Sequence, residues 1–167
     1  GTLLAPLTLD TPDEAVAALA RGGDDAKILA GGQSLIPAMR FRLASPTLLI
    51  DINRLSGLEY LRHDSGGLAI GALTREHALE RDGALAERYP LLHDAAQVIA
   101  DPLVRNRATV GGNIAHADPA NDHPAVMLAY GAEVLAQGPR GARTIAIDDF
   151  FLGLFETALA HDELLTE

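Results

Sequence analysis

The sequence predicts an α+β chain in two parts, and three observations predict it. The first 55 or so positions run strand, glycine bend, helix, strand, which reads as a small βαβ-like unit. After Gly66 the pattern changes to amphipathic helical spacing, most clearly from Pro90 to Ile99. Two apolar runs around Gly138-Pro139-Arg140-Gly141 then mark an antiparallel hairpin.

Each element has a local cause. Thr11 suits a helix N-cap, Pro12 the first helical position and Glu14 the capping-box position; Ala15, Val16, Leu19 and Ala20 supply an apolar face that Gly22-Gly23 stops. Lys27 to Ala30 is a short buried strand that breaks into Gly31-Gly32. Leu35, Ile36, Met39 and Leu43 recur at helical spacing, predicting a helix that Pro46 ends, and Thr47 to Ile52 is a second apolar strand. Gly67 to Ala72 reads as a strand, with Thr74 capping a short helix through Leu79. Pro90 opens a stronger helix whose buried stripe is Leu91, Leu92, Ala95, Ala96, Val98 and Ile99, closed by Asp101-Pro102. The segment from Leu103 to Ala108 carries Arg105 and Arg107 and leads into a second glycine loop, Thr109-Val110-Gly111-Gly112-Asn113. A helix near Pro124 turns Val126, Met127 and Tyr130 inward and stops at Gly131; Glu133 to Ala136 and Arg143 to Ile147 form the hairpin, and Leu164-Leu165 begins another strand.

Composition bounds the function. A 167-residue chain with 48% hydrophobic residues can bury one sizeable core or two small subdomains sharing an interface, with one globular unit as the default. The net charge of −10 argues against nucleic acid, so any phosphate site must be local. No apolar run reaches membrane-spanning length and no secretory leader pattern opens the chain, so a cytoplasmic protein is expected. With no cysteine, the chain holds no disulfide, iron–sulfur cluster or thiol nucleophile, and redox work requires a bound organic cofactor.

Three readings of Ala30-Gly31-Gly32-Gln33-Ser34-Leu35 compete. The glycines make a tight strand-to-helix turn; or Gly32-Gln33-Ser34 is a nucleophile elbow, lacking its last glycine because Ile36 stands there; or the amides of residues 31 to 34 and the Ser34 hydroxyl cradle a phosphate. The loop is neither a Walker sequence nor a dinucleotide glycine motif. His116, Asp118, Asp122 and His123 are metal-ligand types, but Pro119 and Pro124 interrupt them and no regular element aims all four inward, so no metal site is expected. His116 and Asp118 instead brace an irregular loop, and Asp122 is an ordinary N-cap.

Together, Ala-Gly-Gly-Gln-Ser-Leu-Ile-Pro near residue 30 and Arg-Asn-Arg-Ala-Thr-Val-Gly-Gly-Asn-Ile-Ala-His-Ala-Asp-Pro-Ala-Asn-Asp near residue 110 are specific. The sequence resembles the FAD-binding medium subunit of the molybdenum hydroxylases, the family of aerobic carbon monoxide dehydrogenase and xanthine dehydrogenase. Asp51-Ile52-Asn53, Ile70-Gly71-Ala72-Leu73-Thr74, Asp148-Asp149-Phe150-Phe151 and Asp162-Glu163-Leu164-Leu165-Thr166 extend the resemblance over the chain. It implies an α+β, two-subdomain FAD-binding fold of the vanillyl-alcohol-oxidase (PCMH) type. A small subdomain would span 1–55 and a larger one 56–167, with the family's C-terminal domain absent. Ala30, Gly31, Gly32, Gln33, Ser34 and Leu35 match the first flavin loop; Thr109, Val110, Gly111, Gly112 and Asn113 match the second. Asp122 matches an acidic contact to the cofactor's polar chain, Ile99 an apolar adenine contact and Leu165 a position near the isoalloxazine, with a plain core role as the alternative for the two apolar residues. Arg105 and Arg107 either soften repulsion between a diphosphate and an acidic protein or, for at least one of them, are solvated surface charge. The resemblance implies non-covalent FAD and no catalytic nucleophile or proton-shuttling pair. Electrons would pass from a molybdenum-bearing large subunit through 2Fe-2S clusters on a small subunit to FAD, then to NAD, a quinone or dioxygen. From other classes, a serine hydrolase using Ser34 and a non-catalytic nucleotide-binding module are the alternatives.

Overall fold

The computed structural model describes residues 6–167, so the first five positions of the expected N-terminal part lie outside the described residues. In chain order the elements are β1 (Leu7–Thr8), α1 (Pro12–Gly22), β2 (Ala26–Leu29), α2 (Leu35–Arg40), β3 (Leu48–Asp51), β4 (Leu61–Asp64) and β5 (Gly67–Ile70). Five helices follow: α3 (Glu76–Arg81), α4 (Gly83–Arg88), α5 (Pro90–Val98), α6 (Pro102–Arg105) and α7 (Val110–His116). The chain then runs through α8 (Asp122–Tyr130), β6 (Glu133–Gly138), β7 (Gly141–Ala146), β8 (Phe151–Gly153), β9 (Glu156–Thr157) and β10 (Leu164–Leu165).

The described residues form an α+β fold with separate small sheets. A parallel sheet in the order β1-β3-β2 occupies the N-terminal part, and an antiparallel sheet in the order β10-β6-β7 the C-terminal part. The first arises from local signals that act as expected. Thr11 accepts from the Glu14 amide while the Glu14 carboxylate accepts from the Thr11 amide, and Gly23 closes α1 at φ +58°. Ala15, Val16, Ala18 and Leu19 are the buried face of α1, with Ala18 inward where Ala20 was expected. They pack with Ile50, Ile52, Leu55, Leu58, Leu73 and Leu164 in one core.

A second core joins Ala72, Ile114, Val134, Ala136, Ile145, Ile147, Phe150 and Leu165; a third joins Leu79, Leu85, Leu92, Ala95, Ala96, Val110 and Val126. The hairpin of β6 and β7 turns through Pro139-Arg140, and β10 pairs antiparallel with β6, so Leu164-Leu165 is a strand as expected.

Several expectations need correction. Helix α2 stops at Arg40 rather than running to Pro46 and buries none of its side chains; Leu43 is 82% exposed, because periodicity alone does not say what covers a face. Helix α5 exposes Leu91 and Val98, and Tyr130 is 41% exposed with its hydroxyl accepting the Leu91 amide. Thr74 caps no helix: α3 begins at Glu76 with Arg75 at its N-cap, while the Thr74 hydroxyl bonds the Tyr60 backbone. Asp101-Pro102 opens α6, with the Asp101 carboxylate accepting from the Leu103 and Val104 amides. The second glycine pair is not a loop but the first turn of α7.

Candidate functional site

The site forms where β2 ends and α2 begins. Gly32, at φ +74°, makes the bend that only a residue without Cβ adopts cheaply. The Gly32 carbonyl accepts from the Ile36 amide, the Ser34 carbonyl from the Ala38 amide, and Gln33 Nε2 donates to the Gly31 carbonyl at 3.1 Å. Among the described residues, the amides of Gly31, Gly32, Gln33 and Ser34 donate to no protein acceptor. Four donors sit together at a strand-to-helix junction, the arrangement that binds anions elsewhere.

This bend is pressed against the segment that leads into α7. A Cβ on Gly31 would lie 2.3 Å from the Arg107 carbonyl oxygen and 2.8 Å from Ala108 Cα, so only glycine permits the approach. Between them opens a cavity of about 540 Å³ lined by the bend, Asp51, Asn53, Arg75, Asn106 and Arg107. Arg75 and Arg107 are the two cationic residues of the lining in a protein of net charge −10, with Asp51 the one acid there.

The α7 segment contributes differently from the expectation that main-chain amides at both bends grip an anion. The Val110 amide donates to the Thr74 carbonyl, Gly111 to Ala72, Gly112 to the Thr109 hydroxyl and Asn113 to the Thr109 carbonyl. These amides are spent within the protein. Gly111 is needed because a Cβ there would lie 2.6–2.8 Å from Ala72 atoms, and Gly112 faces Ala30. What α7 keeps free is the Asn113 side chain, whose Oδ1 is buried without a partner.

The structure brings residues 30–33 into the cavity wall, with Ser34 and Leu35 continuing from them into α2. Ile99, Asp122 and Leu165 do not line it. Ile99 is buried just after α5 with its carbonyl accepting from Arg105, Asp122 is exposed in the first turn of α8 behind its N-cap Asn121, and Leu165 lies in the second core. The expectation that Asp122 is itself the N-cap is thereby corrected by one position. Arg105 is buried and paired with Glu80 at 3.1 Å, which leaves Arg107 as the cation of that pair at the cavity. Ser34 makes no hydrogen bond with a histidine among the described residues, and the described residues hold no group of three or more metal-ligand side chains.

Sequence reasoning missed three features. Asn53 and Arg75 line the cavity, and His123 with Glu76 forms a fully buried pair at 2.6 Å outside its lining, leaving His123 Nδ1 and Glu76 Oε1 without partners. Asn53 was signalled by Asp51-Ile52-Asn53; Arg75 and Glu76 carry no periodic signal. Burial raises Tyr60, aided by Glu167; Asp82 is lowered because hydrogen bonds from His63 and two amides outweigh burial; and the Arg143 guanidinium lowers Glu163.

The model of the FAD binding domain in molybdopterin dehydrogenase matches residues 6–167. The carbon monoxide dehydrogenase medium chain of Hydrogenophaga pseudoflava is 49% identical over 154 residues, covering 92% of this chain and 54% of its own. The 6-hydroxypseudooxynicotine dehydrogenase complex subunit alpha of Paenarthrobacter nicotinovorans is 45% identical over 158 residues, 95% of this chain and 53% of its own. Reconstituted CO dehydrogenase from Oligotropha carboxidovorans superposes with a TM-score of 0.95 at 41% identity, over 99% of this chain and 58% of that one. The chain spans about half the length of the curated relatives it matches.

Proposed function

The chain belongs to the family of FAD binding domains in molybdopterin dehydrogenase, and from that premise we propose that it serves a molybdenum hydroxylase as the FAD-holding part of its medium subunit. In this reading a molybdenum-bearing large subunit and a 2Fe-2S small subunit deliver electrons, and NAD, a quinone or dioxygen receives them. Bound FAD supplies the ability to accept and release those electrons, which no side chain here possesses.

The observation that carries the reading is the set of four uncommitted amides at residues 31–34 above a cavity walled by Arg75 and Arg107. These amides bind the diphosphate of FAD, and the Ser34 hydroxyl at the start of α2 adds a donor. The two guanidinium groups offset the field of an acidic protein locally. The Asn113 side chain provides the polar contact from α7, with its unpartnered Oδ1 as acceptor, and the Val110 and Gly111 amides hold that helix in place through the Thr74 and Ala72 carbonyls. Outside the cavity, in this reading, the cofactor's polar chain runs toward Asp122, its adenine toward Ile99 and its isoalloxazine toward Leu165. Residues 1–55 and 56–167 are the two halves between which the cofactor extends.

The test is titration of the flavin-free protein with FAD, read by flavin fluorescence and by melting temperature. Saturable binding with thermal stabilisation is expected, weakened by Asp122→Ala without loss of the folded state. No uptake of FAD by the complete protein refutes the reading.

A further inference from the structure

We propose that Arg75 and Asn53 act as a positioning pair that clamps the first glycine bend onto the 106–108 segment and so sets the four free amides for their anion. This rests on the FAD reading above.

The geometry is a chain of hydrogen bonds across the cavity wall. Asn53 Nδ2 donates to the Ala30 carbonyl at 2.7 Å, to Leu29 at 3.4 Å and to Asp51 Oδ1 at 2.8 Å. Asn53 Oδ1 accepts from Arg75 Nη2 at 2.9 Å, and Arg75 Nη1 donates to the Arg107 carbonyl. That same carbonyl is the atom against which Gly31 is packed. One guanidinium therefore holds both sides of the contact: the bend through Asn53, and the opposing backbone directly. The backbone of Arg75 is itself fixed, since Arg75 and Thr109 form an isolated antiparallel bridge and the Glu76 amide donates to the Ala108 carbonyl.

Position and chemistry together exclude a role as a simple solvated charge. Arg75, a residue of the cavity lining, spends both terminal nitrogens of its fork on neutral acceptors that belong to different parts of the fold. A lysine carries the charge but cannot span both acceptors in the same plane. Clamp and charge are thus separable by substitution.

The experiment measures FAD affinity of the complete protein at several salt concentrations, with the melting temperature of the flavin-free form recorded beside it. Arg75→Lys and Asn53→Ala should each weaken FAD about tenfold, and the double variant should be no weaker than the worse single, because both break one chain. Arg75→Lys should keep the wild-type salt dependence, which loss of folding cannot mimic, whereas Arg75→Gln should flatten it. Lysine binding within about twofold of wild type, or single effects that multiply in the double variant, overturns the clamp. Should Arg75→Lys fail to fold, Asn53→Ala decides alone: its side chain is exposed, and unchanged affinity refutes the proposal. Wild-type protein that takes up no FAD refutes the functional reading instead.

Discussion

Substituting Gly31 by alanine tests the close approach that builds the site. The new Cβ would meet the Arg107 oxygen at 2.3 Å, Ala108 Cα at 2.8 Å and the Arg107 carbonyl carbon at 3.0 Å. All three are backbone atoms, so no rotamer relieves the clash; the bend must retreat by about 1 Å to reach ordinary contact. Overpacking of this kind costs about 1–3 kcal/mol, and for a chain of this size about 2 kcal/mol lowers the melting temperature by roughly 4–8 °C. The same retreat stretches the 2.7 Å bond from Asn53 to the Ala30 carbonyl and displaces the free amides, so FAD affinity should fall at least about tenfold. Gly83→Ala is the matched control: nothing lies within 4 Å of its Cβ position and it opens α4, so melting should hold or rise slightly. Thermal melts and FAD titrations of both variants decide the matter. If Gly31→Ala melts with Gly83→Ala and binds FAD like the wild type, the packed bend is not what shapes the site.

Two further outcomes follow from pairs away from the cavity. His123→Ala leaves the Glu76 carboxyl fully buried beside no partner and should cost about 3–5 kcal/mol, read by chemical denaturation; a loss under about 1 kcal/mol refutes the importance of the pair. Glu163 ionises at lower pH folded than unfolded, chiefly because Arg143 donates to both its oxygens at 2.7 and 2.8 Å, with the Ala160 amide adding to this. Its stabilisation is therefore complete above the ordinary carboxylate range and is lost as pH falls through the folded value. Glu163→Gln should flatten the decline of melting temperature between about pH 5 and pH 3, and a slope parallel to wild type contradicts this.

Much of the fold was legible because its signals are local. Thr11, Pro12 and Glu14 specify α1, Gly31-Gly32 the strand-to-helix bend, and Gly138 to Gly141 the hairpin, each within a few residues. What escaped depends on distant partners. Gly111 and Gly112 look alike in sequence whether they line a loop or open a helix; the carbonyls of Ala72 and Thr74, nearly 40 positions upstream, select the helix by taking its first amides. Arg105 and Arg107 are equivalent on paper, yet Glu80 and two carbonyls bury the first while the second borders the cavity. Arg75 gave no sign because its function lies in two acceptors 22 and 32 positions away.

The packing of α1 binds the N-terminal sheet to the C-terminal one. Helix α1 buries its face not only on its own parallel sheet but also against β6 and β10, and Leu73 and Leu164 complete its core. Neither sheet owns that core. Expressed alone, an N-terminal piece would present Ala15, Val16 and Leu19 to water. Unfolding of either sheet should therefore carry the other with it in a single transition.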